Sequence, residues 1–187
     1  MLLGSAIFML SSCKKSNLVG ASSDQQIWPL KTGDLWDYQV ASYDTAGIVN
    51  GGGTLSLSIT SDTVVAGETW YRLSGDTGNF FYTERSNGFW IMSNGSQALF
   101  LKYPGSAGES WNCYSDSVSV QSTDTSVSVP LGTYNCYMYR LFYSSKPVED
   151  YYLSIGVGMV AEDDYSVTSS GQVYKAYAFS LTYASLK

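Results

Sequence analysis

Leu35-Trp36-Asp37-Tyr38-Gln39-Val40, and beyond it Asn50-Gly51-Gly52-Gly53-Thr54-Leu55-Ser56-Leu57-Ser58-Ile59, alternate apolar and polar residues with a period of two. Successive strand side chains point to opposite faces, so Trp36, Tyr38 and Val40 form one face and Leu55, Leu57 and Ile59 form another. The Asn-Gly-Gly-Gly segment supplies turn chemistry between them, and the pair reads as a β-hairpin. Short runs of the same kind follow. Strands are expected over 69–73, 79–84, 89–93 and 98–103, with turns at Gly75-Asp76, Asn87-Gly88 and Asn94-Gly95. Such short connections favour consecutive antiparallel neighbours over crossover helices.

Further strands are expected over 137–143, 151–155, 157–161 and 173–183, where apolar or aromatic residues occupy both faces. Strands patterned in this way are covered on both sides. The chain therefore reads as all-β: a single antiparallel meander of about ten strands, forming a curved sheet or a half-open or closed β-barrel. Its 187 residues suit one domain, and 16 Tyr, 5 Trp and 7 Phe exceed what a core of this size needs.

Charge removes some functions. A net charge of −6, a pI near 4.4 and ten Lys and Arg argue against nucleic-acid binding. The absence of histidine removes the commonest general base and the commonest metal ligand.

Leu2 to Leu10 form an apolar run that ends in Leu10-Ser11-Ser12-Cys13. The run is too short for a bilayer, which needs about 20 residues. A branched apolar residue and two small ones before a cysteine form a lipobox, so Cys13 is expected to carry a lipid after a leader over 1–12 is removed. Residues 13–26, opening Cys13-Lys14-Lys15-Ser16, read as a lipidated tether of roughly 20 Å root-mean-square reach, and 27–187 as the β domain. Met1 runs straight into Leu2 without a basic segment, which points to a start codon further upstream. The expected location is a bacterial cell envelope, lipid-anchored at the outer membrane, with the periplasmic and surface faces both open.

Gly33-Asp34-Leu35-Trp36, Gly67-Glu68-Thr69-Trp70 and Gly108-Glu109-Ser110-Trp111 repeat the order Gly, acid, any residue, Trp. Each reads as a turn glycine opening a strand whose early indole plugs the core edge; a shared ligand role for the three indoles is the other reading. Between Trp111 and Tyr143, a turn at Asp124-Thr125 would set Val120 opposite Val129, Val118 opposite Leu131 and Cys113 opposite Cys136. With Cys13 lipidated in an oxidising compartment, a Cys113–Cys136 disulfide is expected, two buried free thiols being the alternative. Pro130 stands against a ladder continuing through it.

Cys-Lys-Lys-Ser resembles the start of Bacteroidetes-type lipoproteins. Leu30-Lys31-Thr32-Gly33-Asp34-Leu35-Trp36-Asp37-Tyr38, Val129-Pro130-Leu131-Gly132-Thr133-Tyr134-Asn135-Cys136-Tyr137 and Tyr151-Tyr152-Leu153-Ser154-Ile155-Gly156-Val157-Gly158-Met159-Val160 resemble, in order, segments of uncharacterised lipoproteins of that group. The resemblance implies a curved antiparallel sheet or partly closed barrel and no particular activity.

The leading functional expectation is a non-enzymatic binding role. An aromatic-lined concavity would accept an apolar or acyl ligand, with Tyr139, Phe142, Tyr152, Tyr177 and Phe179 as candidate lining residues. Exposed aromatics recognising a glycan or a protein are the alternative, and the membrane is the partner of the lipid anchor. A third reading, glycoside hydrolysis by Glu84 or Glu109 with Asp116, has no distinguishing spacing, so no catalytic residue, cofactor or metal is assigned. Glu162-Asp163-Asp164 offers hard oxygens for Ca²⁺ but reads more simply as a solvated hairpin tip.

Overall fold

The computed structural model describes residues 26–74 and 80–187; the leader, Cys13, its basic neighbours and Gly75-Asp76 lie outside the described residues. The described residues hold twelve strands: β1 (Leu35–Tyr43), β2 (Val49–Val65), β3 (Glu68–Leu73), β4 (Phe80–Arg85), β5 (Gly88–Ser93), β6 (Ser96–Lys102), β7 (Ser110–Cys113), β8 (Asp116–Val129), β9 (Gly132–Tyr143), β10 (Lys146–Ser154), β11 (Gly158–Val167) and β12 (Val173–Ser185). All neighbours are antiparallel, in the order β6-β5-β4-β3-β2-β1-β12-β11-β10-β9-β8-β7. The all-β meander is therefore observed, with two strands more than expected.

First and last strands meet in the middle of the sheet, so β6 and β7, adjacent in sequence, are its two edges. The sheet curls until these edges face each other, giving a nearly closed barrel. Side chains close the seam. Trp111 Nε1 donates to the carbonyls of Leu99 at 3.1 Å and Phe100 at 3.2 Å, and the Tyr139 hydroxyl donates to Lys102 O at 2.8 Å. Carbonyls that an open edge would expose are satisfied in this way.

Local chemistry explains the tight turns. Ala66-Gly67, Asn94-Gly95 and Ser144-Ser145 each place two residues at positive φ between consecutive strands. That pair of conformations matches the twist of a two-residue hairpin. Gly33, Gly67 and Gly108, the glycines of the repeated motif, all have φ near +90° (94°, 85° and 87°), and a strand opens within two residues of each.

Three sequence expectations are corrected by register. In the first hairpin the turn lies at 44–48, where Asp44 N and Gly47 N close hydrogen bonds to Ile48 O and Asp44 O. Gly51, Gly52 and Gly53 instead belong to β2 and pair with Ser42, Ala41 and Val40. Second, the 111–143 stretch turns at Pro130-Leu131 rather than Asp124-Thr125, and a separate strand, β7, precedes it. The switch of apolar parity between Val120 and Val127 is absorbed by register shifts between Val120 and Ser122 and between Ser122 and Thr125, inside one continuous strand. Cys136 thus pairs with Thr125 and Cys113 with Asp116; no disulfide joins the two cysteines, which are free, buried thiols of the core. Third, Glu162-Asp163-Asp164 is no hairpin tip but the middle of β11.

Side chains of β1 reach through the interior to a strand beyond their neighbour. Trp36 Nε1 donates to Val157 O at 2.7 Å and the Tyr38 hydroxyl to Met159 O at 2.9 Å, tying β1 past β12 to the turn before β11 and to its start. The segment before β1 enters the same end: Ile27, Trp28 and Leu30 are buried, and Gly156 N donates to Gln26 O. Trp28 stacks on Phe89 (5.2 Å between ring centroids) and meets Trp36 edge-on. Gly158 leaves room for that indole, since a Cβ there would lie 2.5 Å from Trp28 Cδ1. One end of the barrel is therefore filled by the chain's own N-terminal segment.

Candidate functional site: a half-filled barrel

Above Trp28 the interior is not filled. A cavity of about 440 Å³ remains, within the roughly 300–1,000 Å³ range of small-molecule sites. The fold positions its walls directly. β2 sends Leu55 and Leu57 inward, the β4–β6 segment contributes Phe80, Tyr82, Phe89, Ile91 and Phe100, and Phe179 of β12 completes an apolar arc. The remaining wall is mixed: Asp116, Glu149, Tyr151 and Glu162 line it together with Leu141 and Met159.

The acids gather because β10 and β11 pair Glu149 with Asp164 and Tyr151 with Glu162. Alternation along β11 turns Glu162 and Asp164 to the inside, while Asp163, between them, pairs with Lys175 at 2.7 Å. One carboxylate oxygen from each of Glu149, Glu162 and Asp164 lies within 4.8 Å of the others. The Tyr151 hydroxyl donates to Glu149 Oε2 at 2.8 Å. Burial pushes Glu162 well above the usual carboxylate range, and the charges of Asp164 and Glu149 add to the shift. Glu149 and Asp164 are also raised, in each case mainly by burial. Such a group is costly to ionise without a positive partner, and among the described residues no Lys or Arg lines the cavity.

Only one of the five residues expected to line a concavity does so: Phe179. Tyr139 is inside but fully buried, its ring stacked near Tyr137 and its hydroxyl spent on the seam. Phe142 and Tyr152 neighbour the inward-facing Leu141 and Tyr151 and so fall on the outer face by alternation. Tyr177 is exposed on β12. The proposed carboxylate pairs do not assemble as a matched couple: Asp116 is in the cavity wall, Glu109 pairs with Lys102, and Glu84 holds the N-terminal segment.

The three motif tryptophans serve packing and closure, since none lines the cavity: Trp36 fills the core, Trp70 is buried beside Arg85, and Trp111 bridges the seam. The floor is made by Trp28, which lies before the first strand and carries no alternating signal in the sequence. Glu149 and Tyr151 were equally hidden, because only the β10–β11 register shows that they face Glu162 and Asp164.

The fold and site together define a class: an antiparallel β-barrel whose interior is plugged at one end and hollow above the plug. Comparison with protein-family models, curated proteins and solved structures finds no match to this chain.

Proposed function

We propose that this chain is an envelope lipoprotein, anchored through Cys13, whose barrel binds a small, mainly apolar ligand without transforming it. The observation that carries the binding role is the 440 Å³ interior space with an aromatic and aliphatic arc. A core that served only stability would close such space, because each unfilled volume forfeits packing energy. The lipobox Leu10-Ser11-Ser12-Cys13 supports the anchor. The N-terminal segment, entering as the cavity floor, would hold the tether at the closed end.

The test is uptake of N-phenyl-1-naphthylamine, an uncharged apolar dye that brightens when it leaves water. The full chain is expected to bind it with one-to-one stoichiometry. Leu57→Trp, which adds an indole at a half-buried cavity position, is expected to weaken binding by about tenfold or more while leaving the unfolding midpoint nearly unchanged. No brightening, or equal brightening with a well-folded Leu57→Trp protein, contradicts uptake into the barrel.

A further inference from the structure

The polar wall of the cavity says more about the ligand than its size does. We infer that the ligand carries an organic ammonium head, received by Glu149 and Glu162 with Asp164 behind them, while its apolar body lies against the arc formed by Leu55, Leu57 and Phe100. The inference rests on the cavity reading above and adds the chemical class of what enters.

Four observations converge. Glu149 and Glu162 form one charged spot in a lining that is otherwise mostly apolar, with Leu141, Met159 and Phe179 close beside them, so the cavity matches a molecule with one polar head and an apolar body. Among the described residues the acids have no built-in counter-ion. The basic groups in ion pairs, Arg85, Lys102, Arg140 and Lys175, are engaged by Glu68, Glu109, Asp150 and Asp163, none of which lines the cavity. Asp164 stands behind the two acids that line the cavity, hydrogen-bonded to Glu162 and with its Oδ1 shielded and unpaired, so it adds negative charge behind them. Aromatic rings flank the acids, with Tyr151 edge-on to Phe100 at 5.6 Å, and ring faces attract cations.

Alternative heads fit less well. A carboxylate or phosphate head would bring a like charge against the acids. A hydroxyl would leave them unpaired. A bare divalent ion such as Ca²⁺ takes six to eight oxygens, whereas the cluster brings together one oxygen from each of three residues. An ammonium offers three donors and one positive charge, which suits a cluster presenting acceptors from one side.

Among the described residues, no basic group beside Glu162 competes. Tyr38 faces it from β1, Glu149 and Tyr151 from β10, and Asp164 from its own strand, with Asp116 acting on Glu149 and Tyr82 on Tyr151. Because burial and mutual repulsion raise these acids, the ligand-free cluster retains protons that an ammonium displaces. Amine affinity therefore rises with pH while the amine itself stays charged.

The experiment compares octylamine, octanol and octanoate as competitors of N-phenyl-1-naphthylamine on the full chain. At about pH 7.5 octylamine is expected to bind about tenfold or more tighter than octanol, with octanoate weakest. Between about pH 7.5 and pH 5 the octylamine affinity is expected to fall and the octanol affinity to stay level. Glu162→Gln with Glu149→Gln is expected to abolish the amine preference and to leave octanol binding intact, which also certifies the fold. Equal binding of all three heads, or a preference that survives the double variant, overturns the ammonium inference and leaves the apolar cavity standing. Displacement of octylamine by millimolar calcium assigns the cluster to a metal and overturns the inference as well. Failure of the dye and all three competitors to bind overturns the cavity reading itself.

Discussion

Trp36→Ala is expected to lower stability by about 4 kcal/mol, because truncating a buried aromatic ring costs roughly 3–5 kcal/mol. The ring is fully buried, meets Trp28 edge-on at 6.0 Å, and donates to Val157 O at 2.7 Å. Truncation removes the packing under Trp28 and leaves a buried carbonyl without its donor, a loss of roughly 1–3 kcal/mol by itself; the two terms overlap and do not add fully. For a domain of this size 1 kcal/mol moves the midpoint by roughly 2–4 °C, so thermal unfolding should shift down by about 10 °C or more. Trp36→Phe, which keeps most of the ring but lacks the N–H, should fall between the two. A shift of only a degree or two for the alanine variant would mean that the Trp36 tie between β1 and the turn before β11 does not hold this end of the barrel together.

Glu84→Gln is expected to flatten the dependence of stability on pH. The Glu84 carboxylate accepts Ile27 N at 2.8 Å and Trp28 N at 3.4 Å, holding the segment that floors the cavity. Burial pushes its pKa up from 4.5 to about 7, against the lowering effect of those two donors, and it acts in turn on the nearby Tyr103 and Tyr139. An acid with a raised native pKa stabilises the fold fully below its unfolded value and loses that contribution as pH rises through the native value. The window is therefore about pH 4.5 to 7, and the loss is at most about 3 kcal/mol, at 1.36 kcal/mol per unit. Glu149, Glu162 and Asp164 act with the same sign. Chemical denaturation at several pH values should show the wild type losing stability across this window and the variant losing less. Parallel curves for the two proteins would remove Glu84 from the account.

Strand existence was legible because the alternation around Trp36 and Leu55 has one period and because Asn94-Gly95 and Ala66-Gly67 sit where hairpins need positive φ. Closure was not legible. The pairing of β1 with β12 joins the two ends of the domain, and no local pattern encodes which distant strand a sheet edge will find. Ser144-Ser145 makes the same two-residue turn as Asn94-Gly95 without its usual residues. The misplaced 124–125 turn has a definite cause. A reversal of apolar parity is produced equally by a turn or by bulges, and here register shifts produced it, which separated Cys113 from Cys136.

The site was legible only as an aromatic surplus. Phe179 was found by its place in a strand patterned on both faces, whereas Tyr139, equally aromatic, is consumed by the seam. Glu162 and Asp164 were visible as acids, but their burial depends on Glu149 standing opposite, a property of register rather than of composition.

The central claim is that the barrel interior above Trp28 is a ligand cup. Its most direct test is methyl NMR of the full chain titrated with octylamine. The account expects saturable shifts at Leu55, Leu57, Leu73, Ile91 and Leu141, which line the cavity, with Leu186 and the exposed Val64 and Ile155 unmoved. Shifts confined to Val64, Ile155 or other outer-face methyls, or no saturable shift at the cavity residues, would contradict it.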